Sequence, residues 1–254
     1  MDIYDEKFVE NLFNRMSKTY GTANYLSSFG FTERWRKQCI REIDWNIEIE
    51  KGYDLMSGMG ETWDLIDKES KQNHQLIGVD ISPAMNLKAS KKINKYHSLE
   101  ISIREENILH NDIDSSSSDY IVSTFGLKTF SDEQLKILAK EVNRILNIDG
   151  QFAFVEISKP KNKLLIIPYM FYLKFLIPLI GKVFMGNSLD YRMLGIYCEK
   201  FMDCEKFKIY LEEEGLQVKF CKYFFGCATG VKGKRYMHNN IHDGHAPNVA
   251  RRVY

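Results

Sequence analysis

The chain has 254 residues, with 35 Lys plus Arg against 34 Asp plus Glu and a formal net charge of +1. That length can bury a substantial core in one domain, with room for an appended subdomain, and the charge balance excludes a nucleic-acid partner held by bulk electrostatics. Five cysteines without a C-x-x-C pair, behind an acidic start at Met1–Glu6 that is no signal peptide, lead to the expectation of free thiols and a cytoplasmic protein.

Residues 1–45 form a helical N-terminal arm. Phe8, Leu12, Phe13 and Met16 recur on one helical face, and Gly21 and Gly30 interrupt the run. The basic cluster Arg34-Trp35-Arg36-Lys37 then opens a further helix, and its charges read as a solvated face. Preceding the first strand, the arm is placed to lie across a ligand cleft as a lid.

The most informative stretch follows. Tyr53-Asp54-Leu55-Met56-Ser57-Gly58-Met59-Gly60-Glu61-Thr62 reads as a short strand running into a glycine turn and a helix. Ile77-Gly78-Val79-Asp80-Ile81-Ser82-Pro83 reads as a strand ending in an acidic residue. Together they predict the front half of a nucleotide-binding βαβ unit, with Asp80 placed to accept both hydroxyls of a ribose. Gly58 and Gly60 allow backbone to approach a ligand closely. A dinucleotide fingerprint needs a third glycine and an anion site at the helix N-terminus. Here Trp63 takes the third position and Glu61 sits at the helix start. A carboxylate there repels pyrophosphate and suits a cation, such as the amino group or sulfonium of S-adenosylmethionine.

From 46 to 160, strands near 53–57, 75–80, 99–104, 119–124 and 151–157 alternate with helices, which implies a parallel sheet covered on both faces. Ser82-Pro83 marks one helix start, and Ser131-Asp132-Glu133-Gln134 has the spacing of a capping box. Residues 161–203 form an apolar helical insertion. Its dense run is broken by Pro168, Lys174 and Pro178, whereas a membrane span needs about 20 unbroken apolar residues. An interfacial element, a wall for an apolar substrate and plain packing all fit. Residues 204–233 read as a helix ending at Gly215 and two strands, 217–224 and 226–232, joined so tightly at Gly226 that they must be antiparallel. The expected fold is α/β and Rossmann-like: a seven-stranded, mostly parallel sheet closed by a C-terminal antiparallel hairpin, the hallmark of class I methyltransferases. In the polar tail, 234–254, His238, His242 and His245 have helical spacing, but Gly244 and Pro247 argue against a helix, so no metal site is assigned.

These motifs resemble the menaquinone/ubiquinone C-methyltransferase family from about residue 8 to 235. Phe13-Asn14-Arg15-Met16-Ser17-Lys18-Thr19-Tyr20 resembles its opening signature, and Gly30 through Arg36 its G-x-x-x-x-W-R. Asp54-Leu55 with Gly58-Met59-Gly60 resembles motif I, and Gly78 through Met85 the family's G-V-D-x-S-x-x-M. Thr124-Phe125-Gly126-Leu127-Lys128 resembles S-F-G-L-R-N, Glu156 through Pro160 resembles E-F-S-K-P, and Pro178-x-x-Gly181 also matches. The resemblance implies S-adenosylmethionine as donor, with S-adenosylhomocysteine as product. It implies that Tyr20 closes the arm over the donor, that Gly58, Met59 and Gly60 line its methionine part and that Asp80 binds the ribose, with Asp54, Ile81 and Met85 also counted among the donor-binding residues. Asn107 and Ile108, with Glu106 as the one-residue alternative, fall at the adenine edge, and Thr124 and Phe125 face the donor. The acceptor it implies is an aromatic, quinol-like or other apolar small molecule, prenylated in some cases, with peripheral membrane contact through 164–180 as an option.

Three departures stand out: Gly21 and Glu61 where the family favours aspartate, and Lys128-Thr129 in place of Arg-Asn. Lys128 and Thr129 are therefore the candidate catalytic residues. A lysine can lose its proton on desolvation and act as a base, or stay charged and stabilise a phenolate; an arginine cannot titrate. The alternative to methyl transfer is a protein that binds the donor nucleotide for another reaction or for membrane-associated assembly.

Overall fold

The computed structural model describes residues 2–17, 28, 30–177, 179 and 188–236. Its centre is one seven-stranded sheet of order β3-β2-β1-β4-β5-β7-β6. The strands are β1 (Lys51–Leu55), β2 (His74–Asp80), β3 (Leu99–Glu105), β4 (Ser118–Thr124), β5 (Leu146–Ile157), β6 (Gln217–Tyr223) and β7 (Ala228–Lys234). β1 pairs in parallel with β2 and β4, and those in turn with β3 and β5. β7 lies antiparallel between β5 and β6, which gives the expected closing hairpin.

The helices are α1 (Glu6–Met16), α2 (Phe31–Ile40), α3 (Trp63–Ser70), α4 (Pro83–Ser90), α5 (Asp132–Ile145), α6 (Lys163–Phe171), α7 (Ser188–Phe201) and α8 (Glu205–Glu213). Side chains alternate across the strands, so each face of the sheet has its own core. Tyr53, Leu55, Phe152 and Phe154 pack against Leu138 and Val142 of α5 and Phe207 of α8. Leu76, Val122, Ala153 and Val155 face the opposite way, against Trp35 and Ile40 of α2 and Trp63 and Ile66 of α3. The apolar face of α1 supplies Leu12 and Met16 to a third cluster, with Met59, Met85 and Tyr197.

Both helix starts read from the sequence are formed. Ser82 Oγ accepts from Met85 N–H with Pro83 in the first helical position, and Ser131 with Gln134 makes the reciprocal capping box. Several boundaries differ from expectation. β1 runs 51–55 rather than 53–57, because Met56 turns to φ 52° and ends the pleat. Glu61 lies before α3 rather than at its start, since Thr62 is the N-cap residue. The hairpin turn occupies Phe224–Gly226, one short 3-10 turn, so its second strand begins at Ala228. α2 starts at Phe31, ahead of the basic cluster. Its Arg36 is buried, not solvated, because it falls on the stripe with Thr32, Trp35, Cys39 and Ile40 that faces the sheet.

No helix among the described residues is long and apolar enough to cross a membrane. The apolar insertion is instead a broken helix, α6 continuing into a π turn at Tyr172–Leu176. Tyr20, Gly21, Pro178, Gly181 and the three tail histidines lie outside the described residues. Among the described residues, no group of His, Cys, Asp or Glu is arranged to hold a metal.

Candidate functional site

The strand order places β2 and β3 on one side of β1 and β4 on the other. Loops leaving the carboxyl ends of β1 and β4 therefore diverge, and open parallel sheets bind ligands at that crevice. A cleft opens there. Its floor is Met56, Ser57 and Gly58 after β1, Asp80 and Ile81 at the end of β2, and Thr124, Phe125 and Gly126 at the end of β4. Glu106, Asn107 and Ile108 after β3 close one end, and Phe130 and Gln134 line the wall. Tyr4, Glu6, Val9 and Phe13 of the N-terminal arm also line it.

Local backbone chemistry builds this surface. Met56 and Phe125 both have left-handed φ, 52° and 67°, without being glycine. Such backbone costs on the order of 1–3 kcal/mol per residue and gathers at functional sites. Gly60, at φ 70°, has no alternative, because a Cβ there would meet the Trp63 indole at 2.5 Å. Trp63, buried where a third glycine would stand in a dinucleotide fold, thus packs the turn from behind.

Asp80 holds the centre. Its Oδ2 accepts Gly58 N–H and its Oδ1 accepts Ser82 N–H, each at 2.8 Å, so the carboxylate ties the glycine turn to the start of α4. Each oxygen keeps a lone-pair direction for a further donor. Burial raises its carboxyl to about 6, against the pull of those two N–H donors. Four buried polar atoms of the lining have no hydrogen-bond partner: Arg36 Nε, Ser57 Oγ, Glu61 Oε1 and Asn107 Nδ2. Buried polar atoms are normally paired, and an unpaired one costs about 1–3 kcal/mol. An acceptor pair at Asp80, a carboxylate oxygen at Glu61 and an amide donor at Asn107 suit a ligand with sugar hydroxyls, a cation and a ring acceptor. S-adenosylmethionine carries all three, so the residues present fit that donor.

Of the candidate donor residues, Gly58, Asp80, Ile81, Met85, Glu106, Asn107, Ile108, Thr124 and Phe125 meet in this cleft. Asp54 stands behind the turn, where its Oδ2 accepts Thr62 Oγ1–H at 2.5 Å and burial lifts its carboxyl to about 7. Met59 turns its side chain into the third cluster, while its N–H donates to Glu61 Oε2 at 2.9 Å. Glu106 is engaged by Arg104 Nε at 2.9 Å and Asp112 N–H at 2.8 Å.

The two candidate catalytic residues separate. Thr129 lines the cleft and donates through Oγ1 to Gly126 O at 2.7 Å. Lys128 is buried and lines a second cavity instead. Its Nζ donates to Glu156 Oε1 at 2.9 Å and Phe125 O at 2.5 Å, and its N–H donates to Glu156 Oε2 at 3.1 Å. The turn 125–129 is thus a wall between two cavities, fastened from behind by Glu156. The second cavity is apolar, walled by Trp35, Ile157, Leu165, Tyr169, Leu173 and Phe224 among others. Residues missed in the sequence are Arg36, Tyr4 and Gln134, all in the cleft lining. The signal for Arg36 was its place on the apolar stripe of α2.

The model of the ubiE/COQ5 methyltransferase family matches residues 1–234. The chain belongs to that family. A demethylmenaquinone methyltransferase of Thermotoga maritima is 30% identical over 224 residues, covering 88% of this chain and 94% of that protein. A ubiquinone/menaquinone biosynthesis C-methyltransferase of Rickettsia bellii is 30% identical over 219 residues, covering 84% and 86%. Among solved structures, a SAM-dependent methyltransferase of Aquifex aeolicus aligns at TM-score 0.52 and 15% identity over 78% of this chain and 88% of its own. The N-methyltransferase NodS of Bradyrhizobium japonicum aligns at TM-score 0.53 and 14% identity over 81% and 97%. At those identities the structures establish the shared fold. As a member of the ubiE/COQ5 family, the chain is a class I S-adenosylmethionine-dependent methyltransferase.

Proposed function

We propose that this methyltransferase transfers a methyl group to a ring carbon of an apolar, quinol-like acceptor, with the donor in the cleft at Asp80 and the acceptor's greasy part in the second cavity. The observation that carries this reading is the shared wall: Phe125 and Thr129 line one cavity and Lys128 the other. The names of the Thermotoga and Rickettsia relatives, one a demethylmenaquinone and one a quinone-biosynthesis methyltransferase, support an acceptor of that class.

When bound, S-adenosylmethionine supplies an electrophilic methyl group whose transfer dissipates the sulfonium charge. In this reading Asp80 fixes the ribose, Asn107 with Ile108 the adenine edge, and Glu61 with Ser57 the cationic end. The α1 lid and Phe125 exclude water, which favours an in-line attack held at near-attack distance. Lys128 stays fastened to Glu156 and presents its charge at the rim of the acceptor cavity, where it favours a ring-bound oxyanion. Thr129, through Gly126, keeps the partition in register.

Purified protein given methyl-labelled donor and a reduced, demethylated prenylquinone is expected to move label into the lipid phase. An acceptor stripped of its prenyl tail should show a KM raised about 10-fold or more, since each buried methylene contributes about 0.8 kcal/mol. No label in any quinol would overturn the acceptor class.

The outer face of α6 and its continuation leaves Leu164, Ile167, Phe171, Phe175 and Leu179 exposed, and Phe224 and Phe225 of the hairpin turn are exposed as well. The inner face of the same segment, Leu165, Tyr169 and Leu173, lines the apolar cavity. A helix apolar on both faces is ordinarily covered on both. In this reading the outer face rests on a bilayer and passes prenylated acceptors inward. Flotation with lipid vesicles tests it: Ile167→Asp with Phe171→Asp is expected to abolish vesicle binding while leaving S-adenosylhomocysteine affinity unchanged. Unaltered vesicle binding in that variant removes the segment from the account.

A further inference from the structure

The hairpin turn between β6 and β7 is strained in a way that its own packing does not explain. Phe224 and Phe225 both have left-handed φ, 39° and 56°, ahead of Gly226 at 93°. Bulky residues rarely adopt that backbone, and where they do the strain gathers at functional sites. Phe225 is nevertheless 71% exposed, and its ring contact among the described residues is with Phe224, centroid to centroid 5.6 Å. Glycine or asparagine would close such a turn with less strain and without holding an aromatic ring in water. Phe224 is half exposed, packs on the Phe31 ring of α2 at 4.6 Å and lines the apolar cavity. The tip therefore stands at the mouth of the acceptor cavity.

The turn is held against the apolar insertion. Tyr169 of α6 donates its hydroxyl to Cys227 O at 3.0 Å, and a Cβ on Gly226 would lie 3.7 Å from Pro160 Cα, just ahead of α6. The two segments that meet here are one-signed in sequence. Between Glu156 and Asp190 the chain has five lysines and no carboxylate, and from Gly215 to His242 it has four lysines, Arg235 and again no carboxylate. In a chain of net charge +1, that concentrates cations on the insertion and the hairpin. Lys161, Lys174 and Lys232 are taken by Asp203, Glu199 and Glu42. Lys163 and Lys222 are exposed and have no carboxylate partner among the described residues. Lys222 folds over the turn, its Nζ 3.9 Å from where a Gly226 Cβ would stand.

We propose that the hairpin tip is a lipid-inserting finger. Phe225 enters the acyl boundary of a bilayer while Lys222 and Lys163 meet its anionic headgroups, which seats the mouth of the acceptor cavity on the membrane. The proposal rests on the bilayer reading of α6 and adds a second anchor and a preference for anionic lipid. Interfacial binding combines buried apolar area with attraction to anionic headgroups, and the tip supplies both. A second copy of the chain fits less well. A two-fold contact sets a patch against itself, and this one would bring lysines against lysines. An inserted tip also gives the strained backbone a use: the turn holds the ring out where lipid covers it.

The test uses Phe225→Asn, because asparagine tolerates left-handed backbone and removes the ring. Its thermal stability is expected to equal or exceed that of wild type, and its affinity for S-adenosylhomocysteine to be unchanged. Its partition onto phosphatidylcholine vesicles containing phosphatidylglycerol should fall about 10-fold or more, the effect of returning one buried aromatic to water. Lys222→Gln should lose about 5-fold on those vesicles and nothing on phosphatidylcholine alone. In Phe225→Trp the added indole emission, relative to wild type, should shift to the blue on the anionic vesicles and be quenched by brominated acyl chains. Wild-type vesicle binding by Phe225→Asn, or an indole that neither shifts nor is quenched, overturns the finger. The bilayer reading of α6 survives that outcome where Ile167→Asp with Phe171→Asp still abolishes binding. Wild type that binds neither kind of vesicle overturns that reading and the finger with it. Self-association that vanishes in Phe225→Asn, without vesicle binding by wild type, overturns the finger by assigning the tip to a second copy.

Discussion

Asp80→Ala is expected to weaken S-adenosylhomocysteine binding by about 100-fold or more. Two charge-assisted hydrogen bonds to the ribose would vanish together, each worth roughly 1.5–3 kcal/mol. The same change releases Gly58 N–H and Ser82 N–H, so the turn that shapes the methionine pocket loses its tie to α4. Asp80→Asn separates the two effects, because the amide is isosteric but can keep only one of those acceptors without reorientation. The sign of the pH dependence follows from burial, which raises the Asp80 carboxyl to about 6. Hydroxyl donors from a ribose favour the ionised form, so binding pulls that value down and releases a proton. Affinity should therefore rise as pH increases through about 6 and level off above it. The Asp80→Asn variant should lose this step. A wild-type affinity that is flat between pH 5 and 8 would contradict the assigned contact.

Lys128→Met is expected to destabilise the protein by about 3–5 kcal/mol in denaturant unfolding, the usual cost of breaking one side of a buried ion pair. Lys128 is 2% exposed and Glu156 0%, and the ammonium also satisfies Phe125 O. Without it, Glu156 keeps only the Lys128 and Ile157 N–H donors in a closed site. Lys128→Met combined with Glu156→Gln removes both charges and should recover much of the loss. The pair also separates structure from chemistry. If the single variant is as stable as wild type yet has lost methyl transfer, the lysine acts as a base rather than as a fastening for the 125–129 turn. If the double variant regains stability and binds the donor but stays slow, the ammonium charge itself assists the reaction.

Local signals in this sequence were sufficient for local structure. Ser82-Pro83 and Ser131 through Gln134 specify their helix starts by hydrogen bonds three residues apart, and both are present. The strand–turn–strand from Tyr53 to Asp80 reads directly because each piece is short and apolar, and its glycines fall where backbone must turn. The two-residue shift of β1 arose because Met56, an ordinary strand residue by composition, adopts a left-handed turn that only the packed site sustains. What was not legible depends on long-range placement. Arg36 looks like part of a solvated cluster until α2 is rotated onto β4 and β5, which turns it inward while Arg34 stays out. Lys128 and Glu156 are 28 residues apart, so nothing local announces that one closes on the other. The apolar cavity draws on α2, β5, α6 and the hairpin turn at once, and no single stretch carries its outline.

The central claim is that a donor nucleotide lies between Asp80 and Glu61 with its sulfur directed at the 125–129 wall. A structure of the protein with S-adenosylhomocysteine tests it most directly. The expected map places both ribose hydroxyls on Asp80, the adenine edge at Asn107 and Ile108, and the amino group within hydrogen-bonding distance of Glu61. Density for the nucleotide elsewhere, or a cleft in which Ser57, Glu61 and Asn107 satisfy one another instead, would contradict it.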